Sequence, residues 1–512
     1  MEGDNLKVEK LFSLSPLLPL LVLTSISFVI RLWGIGDAPF WINEADNSRQ
    51  LLFDTPRDKI AWTVAGAGLY LGDVIIRELV LFFIPHEILH NGEAGLRIPS
   101  AFACSISIPL VYKLASRFCE SDMSWIVTLS WAFNPFAIDW SQDVSTYGMW
   151  PIWATFLLLA TFRFTSSIKR NELTLLDWIL FHSAMIGVIT SNLFILMISA
   201  ALFPHVVSTI ILQYQERKER LRILLCAYGP HFVPGLIFTY TTIKPVFDPS
   251  IHDNSWMSSA NWNTPLELML ILFPNPESIG ASVIAILLII GMLKNLHRIG
   301  RTSPILILQN EYSALFLAGT LQLFCFLFLQ LLDSPSWATR YMLHLIPIWL
   351  ILIAACISPI DPISSAEGKV NYYSFSNLGK AVILILTVLT IFSLGPATDM
   401  GGQDTRGAWE LVSEDYDEIE IQVILTQPSE YFYIFYLEIF ELEPDVFEGS
   451  WYDFTDDELV ELIPLETDSV HRIRLEGHND INLANFLAED YFLARESSSK
   501  GMVVEHWVRI NG

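Results

Sequence analysis

Phe40-Trp41-Ile42-Asn43-Glu44-Ala45 follows an apolar run that ends at Trp33. It places a carboxylate in an aromatic-rich loop where the chain leaves its first long hydrophobic stretch. Two later segments have the same character. Leu96-Arg97-Ile98-Pro99-Ser100-Ala101 opens another apolar run, and Trp140-Ser141-Gln142-Asp143-Val144-Ser145-Thr146-Tyr147 sets a second acid between two more. Paired acids at a membrane surface suit chemistry on a lipid-linked substrate. Partial desolvation there favours proton uptake, which fits a general base.

Working outward, the rest of the chain is membrane-like. Its 512 residues are 52% hydrophobic, with a mean hydropathy of +0.43. The apolar residues come in runs of about membrane-span length. We read about eleven spans, near 12–33, 97–116, 124–139, 147–163, 174–190, 192–212, 222–242, 277–293, 313–332, 341–358 and 380–396. The first lacks a small-residue cleavage site and reads as a retained span. Lys113, Arg117, Arg163, Lys169, Arg170, Lys294, Arg298, Arg301, Lys380 and the basic cluster 217–220 all fall on one side of this arrangement. That side is expected to be cytoplasmic, with the N-terminus inside and the C-terminal tail outside.

The net charge of −25 is concentrated in that tail. Residues 396–512 hold 27 Asp and Glu against 6 Lys and Arg. Such a surface repels nucleic acid. Its acid clusters at 415–418 and 456–458 lack the spacing of a calcium loop. Glu420–Thr426 and Met502–Val508 read as strands, with 431–439 a helix or another strand, which gives a small α/β domain. The five cysteines all lie in or beside apolar runs, with no zinc or disulfide spacing.

The candidate chemistry follows from residue type and place. Glu44 is the candidate base and Asp143 the second acid, with Asp139 an alternative on sequence grounds. Arg97, Arg340 and Lys244 are outer-face cations that could hold a leaving phosphate, since a guanidinium grips phosphate through two parallel hydrogen bonds. His86 and His90 share a helical face beside Glu87 and could ligate a metal, but two ligands do not complete a site. The cofactor stays open: a divalent cation is compatible with the sequence but not required by it. The long loop 34–96 is expected to hold an amphipathic helix over 63–83. The short apolar piece 266–273 is expected to lie at the interface.

Taken together, these motifs resemble the GT-C membrane glycosyltransferases, in the branch of protein O-mannosyltransferases and aminoarabinose transferases. The carriers are Arg31-Leu32-Trp33-Gly34, the segment 40–45, Leu96–Ala101, Asn134-Pro135-Phe136, Ser141–Tyr147 and Arg340-Tyr341-Met342. The match is good over 31–165 and looser beyond. Three positions depart from it. The acid before Glu44 is Asn43, the His-Pro-Pro-Leu-Tyr segment becomes Gly66-Ala67-Gly68-Leu69-Tyr70, and an arginine becomes Ser145. Asp73 is a candidate substitute for the second of these.

The resemblance implies a mainly α, polytopic GT-C-like fold over 1–396 and an extracytoplasmic α/β domain over 397–512. It implies a sugar donor linked to polyprenyl or dolichyl phosphate, with a protein, lipid or glycan as acceptor. Glu44 and Asp143 would be catalytic. Asn43, Tyr70, Arg97, Gln142, Tyr147, Arg340 and Tyr341 would bind substrate. Two other classes stay open: a transporter or flippase for a lipid-linked or small solute, and an inactive relative that binds glycan. Transporters place ionisable groups at mid-membrane and often carry internal repeats, whereas here the charges lie at span ends.

The orientation is testable by cysteine labelling in intact cells, with the native cysteines replaced. A cysteine at Lys294 should resist an impermeant maleimide, and one at Ser499 should react. The opposite pattern would invert the topology.

Overall fold

The computed structural model describes residues 16–37, 71–83, 93–144, 146–247, 271–272, 304–331, 339–357, 372–392, 405–416, 422–426, 442–449, 469–475, 481–499 and 502–510, with a few single positions between them. Asn43, Glu44, Tyr70, His86, Glu87, His90 and the expected span 277–293 lie outside the described residues, as does the side chain of Lys244. The chain divides into two units.

The first unit is helical. It contains α1 (Leu17–Leu32), α2 (Leu71–Leu81), most of α3 (Glu93–Ala115), α4 (Ser121–Ala132), α5 (Pro135–Ser141), α6 (Trp150–Arg170), α7 (Leu175–Ile189), α8 (Leu193–Gln213), α9 (Arg217–Phe247), α10 (Pro304–Gln309), α11 (Glu311–Leu331), α12 (Ile346–Ile357) and α13 (Tyr372–Phe392). Short 3-10 turns, Thr146–Met149 and Thr339–Leu345, lead into α6 and α12. Among the described residues, five helical segments are long and apolar enough to cross a membrane. The chain is a multi-pass membrane protein. Every expected span that falls within the described residues coincides with helix, except 124–139, which is broken in two. α4 stops at Ala132. Asn134 then caps α5, its Oδ1 accepting from the Ala137 N–H at 2.9 Å, with Pro135 at the first helical position, where no N–H is needed.

Buried polar groups in this unit are tied to helix ends. Arg31, fully buried at the last turn of α1, donates to the Ala132 carbonyl at 2.9 Å and to Ser27 Oγ; Ser27 Oγ itself donates to the same carbonyl at 3.0 Å. Ala132 ends α4, so the guanidinium sits at the negative pole of that helix. Arg117, just beyond α3, grips Glu311 with two hydrogen bonds of 2.5 and 2.7 Å at the first turn of α11. Thr174 and Asp177 form a capping box on α7, and Asp177 accepts from Arg163 at 2.7 Å. A His182–His231 hydrogen bond of 2.8 Å joins α7 to α9.

The second unit holds residues 34–37 and 93–98 together with the C-terminal part. Gly34, at φ 72°, turns the chain, and the Asp37 N–H closes that turn on the Gly34 carbonyl at 3.0 Å. Gly36 packs so closely on Ala94 that an added Cβ would stand 3.0 Å from the Ala94 methyl. Arg406 pairs with Glu93 at 2.7 Å and donates to the Gly36 carbonyl at 3.1 Å. The C-terminal part contains α14 (Thr405–Tyr416), β1 (Gln422–Thr426), β2 (Val446–Gly449), β3 (Ser469–Leu475), α15 (Ile481–Asp490), β4 (Tyr491–Ser499) and β5 (Met502–Arg509).

The sheet order is β2-β1-β3-β5-β4, with β1 parallel to β2 and β3, and β5 antiparallel to β3 and β4. Val423, Leu425, Val470 and Trp507 face a core with Leu483 and Leu487 of α15. On that face Glu505 bridges Arg472 at 3.2 Å and Arg474 at 2.8 Å, and accepts from Trp507 Nε1 at 3.1 Å. On the other face His471 lies opposite His506, their rings stacked 4.2 Å apart. The strands expected at 420–426 and 502–508 are present over Gln422–Thr426 and Met502–Arg509; of the segment 431–439 only Leu437 is described.

Both buried groups make this sheet acid-sensitive in the same direction. Burial, with His506 adding to it, pushes the His471 pKa down to about 3 from an ordinary 6.5. The unfolded chain therefore takes up a proton below about pH 6.5 that the folded sheet refuses until about pH 3. Burial alone would raise Glu505, but Arg472, Arg474 and Trp507 hold it below the usual carboxylate value of 4.5, so its contribution is lost in more acid solution. In the full-length protein, amide protection in β3 and β5 should weaken from pH 6.5 downward, by up to about 1.4 kcal/mol per pH unit per proton. His471→Phe should remove most of the loss between pH 6.5 and 4.5. An unchanged loss would place the sensitive group elsewhere.

Candidate active site

The turn between α5 and α6 carries the second acid, and three independent anchors fix it. Gln142 Nε2 donates to the carbonyls of Arg31 at 2.9 Å and Trp33 at 3.0 Å, fastening the turn to the end of α1. The Val144 carbonyl accepts from Arg77 of α2 at 2.7 Å. Gly148 lies against Ser100 of α3, where an added Cβ would meet the Ser100 Oγ first and stand 2.9 Å from the Ser100 carbonyl oxygen. Asp143, between the first two anchors, is fully buried. Gly148 and Ser100 explain why Pro99-Ser100-Ala101 needs a small residue there.

Around Asp143 stand two guanidinium groups, Arg77 and Arg340, and its carboxylate acts electrostatically on both. Arg340 begins the strongly apolar segment that runs into α12. Its Cζ lies 5.5 Å from the centre of the Trp140 ring and 5.6 Å from those of Tyr147 and Tyr341. These ring faces attract the cation. The rings continue inward. Tyr147 meets Trp150 edge to face at 4.8 Å, and Tyr341 lies 4.6 Å from Phe194 and 6.5 Å from Phe326, with which it stacks. Gln322 of α11 holds the Tyr341 carbonyl at 3.0 Å. A cation at the mouth of an aromatic wall can receive an anion whose remainder is apolar or sugar-like.

Arg77 is the functional candidate that sequence reasoning missed. It is almost fully buried, and burial lowers its pKa against the opposing charges of Asp73, Glu78 and Asp143. Asp73 is also buried. Both its carboxylate oxygens accept from Ser191 Oγ at 2.8 Å, and one accepts from Trp153 Nε1 at 3.2 Å. The sequence signal was present: Asp73 and Arg77 stand four apart on the expected amphipathic helix, so they share a face.

The sequence-expected residues divide as follows. Gln142, Asp143, Tyr147, Arg340 and Tyr341 are brought together in the first unit. Arg97 belongs to the second unit, where it is buried and donates to the Ile35 carbonyl at 2.8 Å. Glu44, Asn43 and Tyr70 lie outside the described residues. Ile271 and Leu272, from the apolar piece expected at the interface, are helical and buried, and Asn134 Nδ2 donates to their carbonyls at 2.9 and 3.3 Å.

The Gly148–Ser100 contact gives a direct check on the turn. Gly148→Ala should lower the stability of the detergent-solubilised protein by about 1–3 kcal/mol through overpacking. Adding Ser100→Ala should restore only part of it, because that change removes the nearest obstructing atom, the Ser100 Oγ, and leaves the Ser100 carbonyl oxygen 2.9 Å from the added Cβ. Full recovery in the double variant would show that the contact is not tight.

No protein-family model and no curated protein sequence matches the chain. Solved structures do. The apo crystal structure of ArnT from Cupriavidus metallidurans aligns at TM-score 0.54 and 14% identity over 96% of this chain and 97% of the other. The same protein bound to undecaprenyl phosphate aligns at TM-score 0.53 and 13% identity over 95% and 97%. The archaeal oligosaccharyltransferase AglB from Archaeoglobus fulgidus, with an inhibitory peptide and a dolichol-phosphate, aligns at TM-score 0.47 and 12% identity over 95% and 74%. The chain has a GT-C fold of the kind seen in the aminoarabinose transferase ArnT.

Proposed function

We propose that the protein transfers a sugar from a polyprenyl- or dolichyl-phosphate donor to an acceptor hydroxyl at the extracytoplasmic face of the membrane. The observation that carries this reading is the buried Asp143 between Arg77 and Arg340, beside an aromatic wall that begins at a span end. An anionic headgroup on an apolar tail meets both halves of that surface. The likeness to an ArnT structure bound to undecaprenyl phosphate supports the same class of ligand.

In this reading the acceptor oxygen attacks the anomeric carbon as Glu44 takes its proton. The bond from that carbon to the phosphate oxygen breaks, its electron pair leaves with the lipid phosphate, and the sugar inverts. Arg340 neutralises the departing phosphate, with Arg97 as a second phosphate contact. Asp143 orients Glu44, or binds the acceptor or a cation. Asn43, Gln142, Tyr70, Tyr147 and Tyr341 line the substrate. The N-terminus is cytoplasmic and the acidic domain faces outward.

The test is incubation of purified protein with a panel of radiolabelled polyprenyl-phosphate sugars. At least one donor should lose its sugar, and Glu44→Gln should slow that loss about 10²–10⁴-fold, the usual contribution of a general base. Wild-type rates for Glu44→Gln would remove Glu44 from the mechanism. Movement of intact donor across a vesicle bilayer without sugar loss would favour a flippase.

A further inference from the structure

α2 is held rigidly in the first unit. The Gly72 N–H donates to the Thr190 carbonyl at 2.8 Å, and an added Cβ at Gly72 would stand 3.2 Å from the Gly187 carbonyl. Asp73 is bound to Ser191 and Trp153. The turn between α7 and α8 therefore fixes the start of α2. One helical turn later Arg77 reaches away from that anchor to the Val144 carbonyl, with 2% of its surface exposed. Gln142, on the other side of Asp143, is anchored to the end of α1.

We propose that Arg77 is a positioning residue for Asp143: it braces the 142–144 turn and supplies a fixed positive charge that keeps Asp143 a carboxylate. This rests on the reading of Asp143 as part of a sugar-transfer site. The division of labour follows from geometry. Arg77 is buried and held near Asp73, so it cannot travel with a ligand. Arg340, less deeply buried than Arg77 and set among ring faces, is the cation that meets one. Among the described residues, Arg77 and Arg340 both act electrostatically on Asp143; Asp73 and Glu78 act in turn on Arg77, and Tyr147 and Tyr341 on Arg340. Arg77 is fixed by its contact with the Val144 carbonyl. Removing it should let Asp143 take up a proton more readily, and removing Asp73 should do the reverse.

The experiment uses full-length protein in nanodiscs and release of sugar from an undecaprenyl-phosphate sugar, with kcat and KM measured across pH. Arg77→Met should lower kcat about tenfold or more, leave the donor KM within about threefold, and move the acidic limb of the kcat profile up by about one pH unit. Arg77→Lys should return the limb towards the wild-type position. Asp73→Asn should move it downward, a result that does not depend on Arg77→Met folding. An unmoved limb in both Arg77→Met and Asp73→Asn, or an Arg77→Lys limb displaced as far as that of Arg77→Met, would overturn the proposal. Asp143→Asn separates this inference from its premise: wild-type turnover in that variant would remove Asp143 from the reaction, whereas loss of turnover with unmoved limbs would refute only the role of Arg77.

Discussion

A charged side chain inside a membrane protein must find a partner, a helix end or the interface, because leaving it alone in a low-dielectric medium costs several kcal/mol. The first unit is organised by that constraint. Arg31 sits at the carbonyl end of α4, Arg117 grips the acid at the start of α11, and Asp177 caps α7 while taking Arg163. In each case a charge joins two helices at a defined height. The same logic builds the site: Asp143 is buried because Arg77 and Arg340 flank it, and Arg340 is tolerated beside apolar spans because three ring faces and a carboxylate surround it.

The anchors on the 142–148 turn come from α1, α2 and α3, which are far apart in sequence. Motifs that look like separate polar loops are therefore one assembly. Gln142 reads the end of α1, Gly148 requires a small Ser100, and Asn134 serves both α5 and the carbonyls of Ile271 and Leu272. The C-terminal sheet is built on a different principle, a hydrophobic core with a buried ionic cluster on one face and a stacked histidine pair on the other.

The helices were legible because about twenty consecutive apolar residues have few alternatives to a span, and the GT-C resemblance was legible because its motifs occur in order. Tyr147, Arg340 and Tyr341 could be picked out because aromatics and cations at span ends are informative by position alone. The break at Phe133-Asn134 was missed since hydropathy does not register a side-chain cap, although Asn134-Pro135 is a recognisable helix start. Arg77 was missed because the local signal, its i,i+4 spacing from Asp73, says nothing of its partners Val144 and Asp143, which are more than sixty residues away. Arg97 was expected on phosphate by charge and location; its observed hydrogen bond is to the Ile35 carbonyl.

The central claim is that the aromatic wall and Arg340 receive a lipid-linked phosphate. Photo-crosslinking with a diazirine-bearing polyprenyl phosphate, on full-length protein in nanodiscs, tests it most directly. The account predicts label in peptides spanning Trp140–Trp150 and Arg340–His344, suppressed by excess unlabelled polyprenyl phosphate and by Arg340→Gln. Label spread over the outward apolar face of α9, or label at the site that excess ligand does not displace, would contradict it.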